Sequence, residues 1–169
     1  MDDLGFDFSN AVPWFPHEQE QPYVLVRMTA QQVALLEKAM AEPLRRCYIT
    51  DEVLQAAADR HGLTLSDVLA GKLPDAGATM AGDFGEVLGY FYQSAMEYPG
   101  NAIGPKKWRL KQDRTRYRAV AVICESFVTA ELSNAPTTAS DDYTLVVISV
   151  PNLHTTYNAV FEAARASVR

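Results

Sequence analysis

Two apolar runs constrain this chain more than any other feature: "AVAVIC" at residues 119–124 and "YTLVVISV" at residues 143–150. Short unbroken runs rich in Val and Ile, without polar alternation, read as strands buried on both faces. Such strands need cover above and below, so the rest of the sequence has to supply further elements to pack on them. It does. "PYVLVRM" (22–28) reads as another short strand, and "TAQQVALLEKAMA" (29–41) as an amphipathic helix with Thr29 as its N-cap. Two further helices fit "TDEVLQAAADRHG", starting at Thr50 and closed by Gly62, and "TLSDVLAG". "TTYNAVFEAARASVR" reads as a last helix. Strands and helices interleaved in this way predict an α/β (α+β) fold.

At 169 residues the chain holds one compact core with room for a small subdomain. The segment "KLPDAGATMAGDFG", rich in Gly, Pro and Ala, is the best internal boundary. The expected organisation is an irregular aromatic arm at 1–21, a strand and helical region at 22–76, and an α/β region at 77–169. A content of 48% apolar and 21% charged residues is that of a globular protein. No run of eighteen apolar residues occurs, and the N-terminus is acidic where a secretory signal would be basic, so the expected location is cytoplasmic, away from membranes. Cys47 and Cys124 are not spaced with each other or with His17, His61 and His154 as zinc ligands or a disulfide framework would be. No GxSxG, GxxxxGK or GxGxxG is present.

Charge is unevenly spread. The net charge is −6, yet "GPKKWRLKQDRTRYR" (104–118) sets Lys106, Lys107, Arg109, Lys111, Arg114, Arg116 and Arg118 against the single acid Asp113. With Trp108 interleaved, such a ridge can neutralise phosphates and stack a base. It can equally be an edge strand that lysines protect from pairing with other chains.

The stretch "GDFGEVLGYFYQ" (82–93) carries a second candidate. On a helix starting at Asp83, Phe84, Val87, Leu88, Phe91 and Ala95 form one apolar stripe, and Glu86, Tyr90, Gln93 and Glu97 lie roughly opposite. Gly85 and Gly89 form a narrow strip that another backbone can approach. Glu86 admits two readings: the N3 carboxylate of a capping box begun by Asp83, or a functional carboxylate. A third candidate is "LQAAADRHGLTLSDVLAG", where Ala58, Gly62 and Val68 have helix-turn-helix spacing. Its second helix offers Asp67 and no Arg, Lys, Asn or Gln to read base edges, so a plain helical hairpin is the other reading.

Taken as a whole, "GDFGEVLGYFYQSAMEYPGNAIGPKKWRLKQDRT" (82–115) resembles the nuclease subunit of the Hachiman anti-phage defence system. In that family a helix with a Phe-Gly-Glu motif precedes a basic strand of Pro-Lys-x-x-x-Lys character; this sequence supplies Phe84-Gly85-Glu86 and then, with one more residue between the lysines, Pro105, Lys106 and Lys111. The resemblance is clear over these residues and vaguer over the preceding sixty or so. It implies a PD-(D/E)xK-type nuclease core acting on DNA beside a helicase subunit, with Mg²⁺ held by carboxylates and a lysine that lowers the cost of generating hydroxide. Glu86 would be the helix carboxylate and metal ligand. Lys106, Lys107, Arg109 and Lys111 would contact DNA. Glu125, closing the strand "AVAVIC", stands where a second catalytic carboxylate belongs.

One part of the pattern is missing. Beyond Lys111 the chain contains no lysine, and none of Asp113, Glu125, Glu131, Asp141, Asp142 and Glu162 has a basic residue two places on. No Glu-x-Lys can exist there. The resemblance also stops at about Thr115 and does not fade. A truncated or altered member, whose tail replaced the catalytic strands, is the expectation. The other explanation is a divergent fold that kept the helix and basic strand for binding. Either way, this chain alone is expected not to cleave DNA.

Overall fold

The computed structural model describes residues 4–19, 23–96, 117–124 and 143–168. Its centre is a mixed four-stranded sheet, with β1 (His17–Gln19), β2 (Val24–Arg27), β3 (Tyr117–Cys124) and β4 (Tyr143–Val150) in the order β1-β2-β4-β3. β4 runs parallel to β2 on one edge and to β3 on the other. The β3 pairing continues for eight residues, from Tyr117 opposite Tyr143 to Cys124 opposite Val150. β1 joins β2 antiparallel, with a register shift between His17 and Gln19. The apolar run 143–150 is thus the inner strand that its composition requires: Val146 to Val150 are all buried. Val146, Ile148 and Val150 face the main core, while Val147 packs with Tyr23 and Leu25.

Helices α1 (Ala30–Tyr48), α4 (Ala78–Met96) and α5 (Leu153–Ala166) fill that main core, which draws on residues from both sides of position 76. α1 begins as its sequence predicts, with a capping box between Thr29 and Gln32. It does not end near Ala41 but continues through Pro43 to Tyr48. A proline inside a helix loses a hydrogen bond and costs roughly 3 kcal/mol. Burial of Leu44 and Cys47 beyond it offsets that loss, at about 1.5–3 kcal/mol for a large apolar side chain. The roughly two extra turns deliver Tyr48 to α4.

α2 (Asp51–His61) is capped by Thr50 and closed by Gly62 in the left-handed conformation (φ 64°), as expected. α3 (Leu65–Ala70) is held by a Thr64–Asp67 capping box. The N-terminal arm is more regular than expected. Asp7 caps a 3-10 helix over Phe8–Trp14, Pro13 is accommodated inside it, and β1 follows. Its aromatic side chains do pack on the body: Trp14 stacks on Phe91 at 5.7 Å, and Phe6 and Phe8 lie 5.1 and 5.0 Å from the same ring. Phe15 and His17 cover Tyr92, whose hydroxyl is 2.9 Å from His17 Nε2.

α4 differs most from the sequence expectation. It starts at Ala78, so Asp83 lies inside the helix and the capping box Asp83–Glu86 does not exist. The segment 72–85 forms a break only as far as Gly77, whose φ of 150° suits glycine alone. Tertiary burial carries the helix through Gly82 and Gly85 despite their poor propensity, because Met80, Phe84, Val87, Leu88, Phe91 and Tyr92 all sink into the core.

Candidate functional site

With the capping role removed, the turn of α4 from Asp83 to Glu86 becomes a site in its own right. The buried stripe Phe84, Val87, Leu88 and Phe91 faces the core, and Glu86 is exposed. Gly85 sits against the sheet: a Cβ placed there would lie 3.9 Å from the Cβ of Val122 on β3. The small-residue strip read from the sequence therefore lets α4 lie down on β3.

The other flank of the turn meets α1. The phenol of Tyr48 donates a short hydrogen bond to Asp83 Oδ2. Its ring is half-buried and stands edge-on to Phe161 of α5, with centroids 6.1 Å apart. Burial is the largest influence on this phenol, followed by the bond to Asp83 and then the charges of Asp83, Cys47 and Glu86. Together they push its ionisation far above the ordinary value of 10.0. Tyr48 is therefore a permanent donor, and Glu86 is close enough for its charge to be felt there. Asp83 and Glu86 lie one helical turn apart on neighbouring surface, where like charges repel. The phenol's hydrogen bond disperses part of the Asp83 charge.

Sequence reasoning singled out Glu86, which the structure leaves exposed on α4, but did not point to Tyr48, and it made Asp83 a helix cap where the structure places it inside the helix. Thirty-five positions separate Tyr48 from Asp83. No local pattern links them, and the only hint was an aspartate in what proves to be a helix interior, a place where Asp is a poor helix former. Of the other predicted residues, Glu125 lies outside the described residues, directly after the last residue of β3. Lys106, Lys107, Arg109 and Lys111 also lie outside them.

Among the described residues no three His, Cys, Asp or Glu side chains come together as a metal-holding group. Glu86 offers a hard carboxylate oxygen, and its neighbour Asp83 is engaged by Tyr48. These residues do not make a protein cage for Mg²⁺. They fit the sparser arrangement in which the ion keeps its waters and takes one or two carboxylates together with substrate phosphate.

The helix-turn-helix candidate is a capped hairpin. Ala58 is buried where the helices touch and Gly62 makes the turn, but Asp67 accepts hydrogen bonds from the Thr64 backbone N–H and hydroxyl at 3.2 and 2.6 Å. That task occupies the only charged side chain of the six-residue α3.

A family model described as HamA matches residues 19–120, more than half of the chain. The chain belongs to the HamA family. Membership makes it an anti-phage defence protein. The matched span begins at the last residue of β1 and includes β2, all of α1 to α4 with Tyr48, Asp83 and Glu86, and the basic ridge up to Arg118. The match ends inside β3, so Glu125, β4 and α5 lie beyond it. No curated protein and no solved structure shows significant similarity to the chain. Among the described residues, no helix of this HamA protein is long and apolar enough to cross a membrane.

Proposed function

We propose that this HamA-family protein engages DNA during anti-phage defence as the nuclease-like companion of a helicase subunit, and that it does not cleave DNA unaided. The observation that carries this reading is the exposed Glu86 on a helix turn buttressed from two sides, followed within the family-matched span by the basic ridge 104–118. In this reading Lys106, Lys107, Arg109 and Lys111 neutralise backbone phosphates. Such contacts give affinity and position without sequence preference. Glu86 contributes one carboxylate to a Mg²⁺ ion shared with a phosphate. A bound Mg²⁺ would supply charge neutralisation at the phosphate. The missing Glu-x-Lys leaves no basic partner to help generate hydroxide, which is why binding is proposed and unaided cleavage is not.

Two measurements on the pure chain test this. Duplex binding followed by fluorescence anisotropy is expected to weaken steeply with salt. Neutralising Lys106, Lys107, Arg109 and Lys111 together should flatten the slope of log K against log salt by about 0.9 for each phosphate that is no longer neutralised. Plasmid incubated with the chain and Mg²⁺ is expected to stay supercoiled. Efficient nicking abolished by Glu86→Gln would establish a complete nuclease and overturn the non-cleaving part. An unchanged salt slope in the quadruple variant would overturn the DNA-binding part.

A further inference from the structure

We propose that Tyr48 is a positioning residue for Glu86: by holding Asp83 from α1, its phenol fixes the single turn of α4 from which the Glu86 carboxylate is presented. This rests on the reading above, in which Glu86 faces a cation and a DNA phosphate.

The geometry places that turn between two supports. On one flank Gly85 turns its bare Cα toward β3, where an added Cβ would lie 3.9 Å from that of Val122. On the other, Tyr48 reaches across from the last turn of α1 to Asp83. Tyr48 is itself immobilised, because its ring stands edge-on to Phe161, which is fully buried, and the neighbouring Cys47 is buried as well. α1, α5 and β3 thus converge on one helical turn, and Glu86 is its solvent-facing acid.

The arrangement goes beyond what helix packing needs. The buried stripe Phe84, Val87, Leu88 and Phe91 already seats α4 on the core. An aspartate in a helix interior weakens the helix relative to alanine. It also places a second negative charge one turn from Glu86, where like charges repel. A phenol donor offsets both effects, since it anchors the aspartate and draws off part of its charge, so the Glu86 side chain is presented from a fixed position. Carboxylates that meet a cation gain from being held in place before it arrives.

The test uses the full chain and a labelled short DNA duplex. The quantity read is the gain in affinity between EDTA and Mg²⁺, with Glu86→Gln defining the part of the gain that depends on this carboxylate. Thermal melting followed by circular dichroism monitors folding. Tyr48→Phe keeps the ring and its packing on Phe161 but removes the donor. It is expected to lower the Glu86-dependent gain by about fivefold, the scale of one hydrogen bond to a charged group acting at one remove. Asp83→Ala should do the same. Asp83→Asn, which keeps an acceptor for the phenol, should retain more of the gain than Asp83→Ala; a role in packing alone would not separate these two. If Glu86→Gln removes the gain while Tyr48→Phe and Asp83→Ala leave it at the wild-type level, the positioning role is overturned and the reading of Glu86 stands. If Glu86→Gln leaves the gain intact, the reading of Glu86 falls and the positioning role falls with it. Should Tyr48→Phe fail to fold, the ordering of the two Asp83 variants decides the question.

Discussion

Gly85→Ala tests whether the approach of α4 to β3 has been understood. Glycine inside a helix is less favourable than alanine by roughly 0.5–1 kcal/mol, because the unfolded chain loses more freedom at that position. Whether a methyl group can be added depends on what it meets. A Cβ at Gly85 would lie 3.9 Å from Val122 Cβ, an ordinary contact, with no closer heavy atom among the described residues beyond the neighbouring backbone. The methyl therefore fits without moving the strand, and the propensity gain should appear nearly in full. For a chain of this length about 1 kcal/mol corresponds to a rise of roughly 2–4 °C in melting temperature. Gly85→Leu is the counterpart: its branched side chain has to push α4 off β3, and overpacking of this kind costs about 1–3 kcal/mol. Melting curves of the two variants, with circular dichroism to confirm helicity, give the comparison. A fall in stability for Gly85→Ala, or indifference to leucine, would show that α4 does not rest on β3 at this point. The picture of a turn supported on both flanks would then be wrong.

Three further outcomes follow from the same geometry. The raised ionisation of Tyr48 means that the protonated phenol stabilises the fold fully below the ordinary value of 10.0, and that this contribution fades as pH rises above it; the melting temperature should drop above about pH 10 in the wild type and less in Tyr48→Phe, and identical profiles would refute the burial of this phenol. Arg45 is buried, with its Nε on Ser167 Oγ at 3.1 Å and its Nη2 on Asp51 Oδ1 at 2.5 Å, so Arg45→Met should cost about 2 kcal/mol in urea unfolding. The hydrogen bond from Arg45 is the largest cause holding the Asp51 carboxyl below its usual range. Its stabilisation is present above about pH 4 and lost on acidification, so Arg45→Met should also flatten the acid limb, and an unchanged limb would refute the link. Phe161 is fully buried in α5, and Phe161→Ala should cost about 3–5 kcal/mol; a loss below about 1 kcal/mol would mean that α5 is not part of the core.

Much of the fold was legible because local chemistry and tertiary burial agree. Thr29, Thr50 and Gly62 end helices for reasons contained within a few residues, and the run 143–150 is apolar because it has a strand on each side. The start of α4 misled because Asp83-Phe84-Gly85-Glu86 has the form of a capping box, while the force that extends the helix back to Ala78 is the burial of Met80 against distant residues. The same limit applies to the site. An exposed glutamate on an amphipathic helix can be read from periodicity. Its support from Tyr48 cannot, since that depends on α1 passing through Pro43 instead of stopping before it.

The residues beyond the family match bear on the missing Glu-x-Lys. The match ends within β3, yet β2 and β3 do not touch each other in the sheet; both are paired through β4, which lies wholly beyond the match. Without β4 the short β1–β2 pair and β3 stand apart, and no sheet joins them among the described residues. β4 satisfies both edges in register, Val24 opposite Val146 on one side and Tyr117 opposite Tyr143 on the other, and α5 returns Val160, Phe161 and Ala164 to the core beside α1. A segment acquired by a frame change or fusion has no physical reason to meet two strand edges and a helix-lined core at once. Of the two explanations for the absent lysine, the packing therefore favours a divergent fold that kept the helix carboxylate and the basic ridge, with its later strand adapted to the earlier ones. In such a fold the absence of a Glu-x-Lys after Lys111 belongs to an integrated structure, which supports the proposed reading in which Glu86 and the ridge bind and do not cut.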